Sequence, residues 1–347
     1  MRRIAWHCIS IIVVALVLLQ PVILTGGFVF APPTASADDD PRYFAQTGFR
    51  ISNDIFWDYF QKRGGLRTFG YPVSRKFQLL GAEVQIFQRR IMQIQGGRAV
   101  LMNMLDSDML PYTSINNATL PPKDDALVAS APAPGSEGYD EAITRFIMDK
   151  SPDNWNQMDT GFYRTFNDTV KLEEAYPGGD GDPNWLPGLN RELWGVPVSA
   201  PALDPKNFNF VYLRYQRGVL HFDKNTGLTQ GLLLGDVFKS VITGVLIPAD
   251  VDAAAQQNRF YKQYNNAAAD GLARAAQLPG SNLKDAFEKE GPTTGGDPTP
   301  TTVTTTTAPV VNTGLQYGMQ VHAFGTDQNR VLGLVKAAGF GWIKQQV

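Results

Sequence analysis

One pattern occurs twice in this chain, and an internal duplication limits the available folds more than any other feature. Phe69-Gly70-Tyr71-Pro72-Val73-Ser74 answers to Trp194-Gly195-Val196-Pro197-Val198-Ser199. After a variable loop each copy runs into aromatic-Gln-Arg, Phe87-Gln88-Arg89 in the first and Tyr215-Gln216-Arg217 in the second. Such self-similarity predicts one supersecondary unit built twice. Gly70 and Gly195 are expected where the backbone needs a conformation barred to other residues, and Pro72 and Pro197 fix the next bend. Alternation through Val84-Gln85-Ile86-Phe87-Gln88 and from Val211 to Tyr215 predicts strands with one buried face. Ile55 to Phe60 predicts a short helix closed by Gly64-Gly65, and Gly235 to Ile242 predicts another.

The rest of the chain divides around this duplication. Residues 1–37 carry the marks of a secretion signal: Arg2 and Arg3, an apolar run from Ile9 to Leu19, and the small-x-small site Ala35-Ser36-Ala37 before Asp38. An uncleaved membrane anchor is the alternative, although Gln20, Pro21 and Gly26-Gly27 interrupt the apolar stretch. Residues 41–120 form repeat unit 1. Residues 138–290 form repeat unit 2 with closing helices, drawn from the spacing of Phe260, Tyr261, Tyr264 and Leu272. Residues 291–313 are a Thr/Pro-rich linker that stays extended. Residues 314–347 read as strand, helix, strand, broken off inside the second strand.

Composition narrows the functional classes. Cys8 is the only cysteine and lies within the signal, so the remainder has no disulfide, thiolate nucleophile or Cys-bound zinc. The net charge of the chain is −2, which gives no basic excess for nucleic acid. The 38 Trp, Tyr and Phe residues suit contact with sugar rings as well as core packing. No His-Glu-x-x-His, Gly-x-Ser-x-Gly or Walker loop is present. His221 reads as a packed or surface histidine. Gly178-Gly179-Asp180-Gly181-Asp182-Pro183-Asn184 reads as a turn, because the carboxylates lack the distal Glu of a calcium loop. No cofactor or metal is expected.

The Phe49-Arg50-Ile51-Ser52 segment, the Gly64 to Ser74 stretch and the Phe87-Gln88-Arg89 strand resemble the N-terminal module of secreted proteins from filamentous green bacteria (Chloroflexota). Arg217 to Asp236 matches the same modules, so the resemblance covers about residues 45 to 248. The copies are also loosely similar to the Leu-Gly-Phe-Pro repeats of bacterial wall-associated proteins, departing from that motif at its first and third positions. The resemblance implies a secreted scaffold or wall-binding unit and no catalysis. On this reading Trp57 and Trp194 are the side chains whose loss should abolish retention on a glycan.

Lys336-Ala-Ala-Gly-Phe-Gly-Trp-Ile-Lys344, with the preceding strand Gln316 to Phe324, resembles the opening of (β/α)₈ glycoside hydrolases of the cellulase-like clan. The resemblance implies two catalytic carboxylates on strands four and seven, which this chain does not contain. The catalytic residues therefore stay unassigned. Gln320, His322, Lys344 and Gln346 alternate at strand spacing and are the candidates for substrate contact, against a rival role in polar barrel packing. The expectation is an α+β protein: a duplicated strand-rich module with short helices, a Thr/Pro linker, then a β-α-β fragment of a barrel. Its expected role is the N-terminal part of a secreted glycoside hydrolase whose partner is a polysaccharide or cell-wall glycan. The alternative is a non-catalytic surface or wall-binding protein.

Overall fold

The structure, a computed structural model, describes residues 40–107, 109–110 and 113–291, together with two strands at 318–321 and 342–345. The segment read as a secretion signal and nearly all of the Thr/Pro-rich stretch read as a linker lie outside the described residues. Helices and antiparallel strands occur in separate stretches, so the module is α+β.

Copy one begins with α1 (Asp54–Lys62), whose N-terminus is capped by Asn53: its side chain accepts from the amides of Ile55 and Phe56. α1 buries Phe56, Tyr59 and Phe60 on one face. Gly64 turns left-handed after it, and α2 (Gly65–Phe69) follows at once. Four antiparallel strands come next: β1 (Phe77–Leu79), β2 (Ala82–Ile86), β3 (Ile91–Gln95) and β4 (Arg98–Leu101). A small hairpin, β5 (Ser114–Ile115) and β6 (Ala118–Thr119), leads to copy two.

Copy two has more helix: α3 (Tyr139–Lys150), α4 (Phe162–Asn167) and α5 (Leu186–Trp194). Its sheet repeats the meander as β7 (Ala202–Leu203), β8 (Phe210–Arg214), β9 (Val219–Asp223) and β10 (Leu228–Gly231). α6 (Leu234–Thr243) and α7 (Ala249–Ala255) follow the sheet. The Gly178–Asn184 segment is a turn entering a single 3-10 turn, where Asp182 caps Asn184. No group of three or more metal-ligating side chains occurs among the described residues, and no helix there is long and apolar enough to cross a membrane.

The repeated residues make the same bonds in both copies. The backbone amides of Val73 and Val198 donate to Ile86 and Arg214. In return Ile86 N donates to Ser74 Oγ (2.9 Å) and Arg214 N donates to Ser199 Oγ (3.1 Å). Pro72 bridges Phe87 and Pro197 bridges Tyr215. Gln88 and Gln216 each turn Oε1 back to an amide of the first motif, at Tyr71 and Val196 (both 3.1 Å). This explains the glycines. Gly70 and Gly195 have φ of 71° and 72°, and a Cβ on Gly195 would lie 2.4 Å from Gln216 Oε1.

The copies do not keep separate cores. Alternation gives each sheet two packed faces. Val211, Leu213, Leu220 and Phe222 join Met92, Ala99 and Leu101 around helices α1, α3, α4 and α5. Phe77, Leu79, Val84, Ile86 and Ile91 join Tyr212 and Val219 under α6 and α7. The arginines after each Gln reach across reciprocally: Arg89 Nε to Gly231 O (3.3 Å) and Arg217 Nε to Asn103 Oδ1 (3.1 Å). Between them Arg90 is 3% exposed, donates to Arg217 O and lies 4.2 Å over the Trp194 ring. Burial pulls its guanidinium down to about 9, and Arg89 and Arg217 add to the effect against Tyr59. Copy two has Gly218 at the corresponding place, because a Cβ there would meet Arg90 Nη1 at 2.5 Å.

The segment after α7 differs from expectation. Residues 256–291 are turns, with a single short 3-10 turn at Ala275–Gln277 and no further α-helix. Phe260, Leu272, Leu278, Leu283 and Ala286 are buried by a chain that folds back on itself, with Tyr264 bridging Leu272 and Asn282 bridging Gln78 of β1. Gln263 holds the bend by donating to Gln277 Oε1 (2.8 Å) and accepting from Arg274 N (3.2 Å). Side-chain amides that bond the backbone compete with helix, so the apolar spacing is used by turns.

Candidate functional site

The two sheets can be compared position by position, and they part at one place. Counting from the Gln-Arg pair, Val84 corresponds to Tyr212, Ala82 to Phe210 and Gln93 to His221. In copy one this row is apolar apart from Gln93, and β1 is tied down by the closing segment, with Gln78 N and Gly81 N bonded to Asn282 O and Gly280 O. In copy two the row carries rings and borders a groove of about 560 Å³.

Strand register builds the groove floor. Tyr212 pairs with His221 across β8 and β9, and Phe210 lies two residues along the same face. Phe210 stacks on Tyr212 at 6.3 Å, and His221 tilts against both rings at 5.9 and 6.3 Å. One wall is the turn between β5 and β6. Another is the loop from Asp204 to Asn207, and Leu232, Leu233 and Val237 close the end.

Polar groups on the walls are fixed before any ligand arrives. Asp204, 1% exposed, accepts from the amides of Lys206 (2.9 Å) and Thr119 (3.4 Å), which holds the loop to the hairpin. Lys206 Nζ reaches Asn117 Oδ1 at 3.2 Å. The hairpin turn needs φ values of 52° and 69° at Asn116 and Asn117, a conformation asparagine tolerates. Asp250, from α7, clamps that turn by accepting from Asn117 N (2.8 Å), Asn116 N (3.1 Å) and Ser114 Oγ (2.8 Å).

The titratable groups here respond to burial. Burial pushes the Tyr212 phenol up to about 12, with Asp204 and Asp223 adding to it. Burial lowers His221 against the pull of Asp223, so the imidazole is neutral at pH 7. Burial alone would raise Asp250, but its hydrogen bonds from Asn117, Ser114, Val251 and Asn116 outweigh that and lower it. Its folded pKa is therefore below the unfolded one. The clamp is fully present above the ordinary carboxylate range and is lost as pH falls through the lowered value. Asp250→Asn is expected to remove this pH dependence and to cost about 1–2 kcal/mol. Following the Asn116 and Asn117 amide proton shifts from pH 6 to 2 checks it, and identical titrations in both proteins would refute the clamp.

Two of the residues expected to touch substrate fall on described strands. Gln320 is on β11 (Gly318–Val321) and Lys344 on β12 (Trp342–Gln345). These strands pair in parallel, with Gln320 the register partner of Lys344. His322 and Gln346 lie outside the described residues. The two tryptophans assigned to binding are corrected in part: Trp194 is 5% exposed and packed in the core, and Trp57 stacks on Phe60 with Arg42 over its ring. The sequence reading does not single out the groove residues Phe210, Tyr212, Asp204 and Lys206, and it gives His221 as a packed or surface histidine. The usable signal was the mismatch between copies. No protein-family model matches this chain, and no curated protein or solved structure matches it.

Proposed function

We propose that residues 40–291 are a non-catalytic glycan-binding module, exported from the cell and carried ahead of a glycoside-hydrolase-like barrel of which 314–347 is the opening. The observation that carries the reading is the broken symmetry of the duplication. The same sheet face is tied under a closing segment in copy one and is ring-lined and open in copy two. Rings flanked by a carboxylate, amides and an ammonium suit a polyol, whose C–H faces stack while its hydroxyls bond. The parallel pairing of β11 with β12 supports the barrel resemblance, since parallel neighbours need a crossover of helical length between them. The chain offers one module for either a tethered hydrolase or a free wall-binding protein.

Retention on insoluble cellulose, xylan and peptidoglycan tests the module. Phe210→Ala is expected to reduce retention at least about tenfold through the lost ring face, and Tyr212→Phe to reduce it less, by the loss of one hydroxyl contact. Thermal melts must show both variants folded. Wild-type protein that passes through all three glycans unretarded would end this proposal.

A further inference from the structure

The groove contains a polar atom that the folded chain leaves unused. His221 Nδ1 is buried and has no hydrogen-bond partner, and the residue pairs in register with Gln230 of β10. Leaving a buried acceptor unpaired costs about 1–3 kcal/mol. Copy one avoids that cost with Gln93 at the corresponding position. The unused atom belongs to a ring that lines the groove and touches its two aromatic neighbours.

We infer that His221 is the specificity-determining residue of the groove, its Nδ1 accepting a hydrogen bond from a hydroxyl of a neutral glycan. The inference rests on the glycan reading above. With the ring proton on Nε2, the unpaired Nδ1 presents a lone pair and calls for a donor. The charges nearby argue for an uncharged one. Asp204 on the loop and Asp223 on β9 repel an anion. The cations are engaged: Lys206 with Asn117, and Arg89 with the Gly231 carbonyl. The torsion between Cβ and the imidazole is soft, so a small turn of the ring brings Nδ1 to the groove surface. A hydroxyl beside the apolar C–H face of a sugar then meets both the acceptor and the Phe210–Tyr212 rings.

The pH consequence has a definite sign. Protonation fills Nδ1 and converts the acceptor into a donor. Burial holds His221 below its ordinary value, with Arg89 in the same direction and Asp223 and Gln230 against it. Affinity is therefore constant through neutral pH and falls as pH drops through that lowered value. Tyr212 titrates far above this window.

Titrations of cellohexaose and chitohexaose into the full chain at pH 7.5 and 4.5 test the inference, together with the Nδ1 nitrogen shift of His221. The wild type is expected to bind at pH 7.5, to bind more weakly at pH 4.5, by up to about tenfold as Nδ1 fills, and to move its Nδ1 resonance toward the hydrogen-bonded value. His221→Phe keeps the ring without the acceptor and should weaken binding by a similar factor at pH 7.5. His221→Asn places an amide oxygen near the Nδ1 position and should retain binding while losing the acid dependence. Equal affinity of wild type and His221→Phe, with Nδ1 unshifted, would overturn the role of His221 and leave glycan binding standing. Binding of neither sugar by the wild type, alongside no retention on any polysaccharide, would overturn both.

Discussion

Gly235→Ala is expected to lower the unfolding free energy by about 3 kcal/mol, a large effect for one methyl group. A Cβ at this position would lie 1.8 Å from the carbonyl oxygen of Phe87 and 3.1 Å from that of Gln88. Both carbonyls belong to the tight turn of copy one, and Gly235 opens α6 in copy two. The next amide, Asp236 N, donates to Gln88 O at 3.0 Å, so the helix end is already seated on the turn. Its φ is not in the left-handed region, and the need for glycine comes from contact alone. Backbone cannot yield as a flexible side-chain tip does, so α6 must lift, and the Asp236 bond goes with it. Gly188 is the control. It lies within α5 with open space where a Cβ would go, so Gly188→Ala should gain up to about 1 kcal/mol from helix propensity. Urea unfolding of the three proteins reads both effects. A Gly235→Ala midpoint equal to wild type would mean that α6 is not docked on copy one as described.

Much of this fold was legible because the duplicated motif holds residues whose chemistry is local. Gly70, Gly195, Pro72 and Pro197 mark backbone geometry, and the helices at 55–60 and 235–242 formed within a residue or two of their predicted positions. α2 was missed, since five residues after Gly64 carry too little pattern. The closing segment was misread because Phe260, Tyr261, Tyr264 and Leu272 keep a helical spacing while Gln263, Asn265 and Asn266 bond the backbone into turns. Nothing local reports that competition.

The groove was illegible for a different reason. Its walls come from 114–120, 204–212, 221 and 232–237, and only the tertiary fold brings them together. The repeat was nevertheless a route to it. Within a duplication, core positions are held by the shared fold: Tyr212, at the place of Val84, stays buried, whereas Phe210 and His221, at the places of Ala82 and Gln93, are half-buried along the groove. Overlaying the copies and asking where an aliphatic or amide side chain becomes a ring gives the three groove positions together with Phe222, the counterpart of Ile94, which stays in the core. The approach would have corrected the emphasis on Trp194, which answers to Phe69 and stays inside.

Trp194→Ala is expected to cost about 4 kcal/mol, the range of large aromatic deletions from a packed core. Trp194 makes three contacts, the last of which crosses to copy one. Its ring tilts against Tyr215 at 5.5 Å, its Nε1 donates to Thr169 Oγ1 at 2.9 Å, and its face carries the Arg90 guanidinium. Removing the indole leaves a cavity and takes the π face from a charge that is 3% exposed. The two effects separate in a double-mutant cycle. Arg90→Met keeps the volume and removes the charge, so it should be nearly neutral alone, because a buried ion replaced by a well-fitting apolar chain regains its desolvation cost. In that background Trp194→Ala should cost about 1 kcal/mol less, the size of a desolvated cation–π contact. Additive costs would mean that Arg90 draws no stabilisation from the ring and that Trp194 acts through packing alone. A Trp194→Ala protein as stable as wild type would contradict the burial on which the shared core depends.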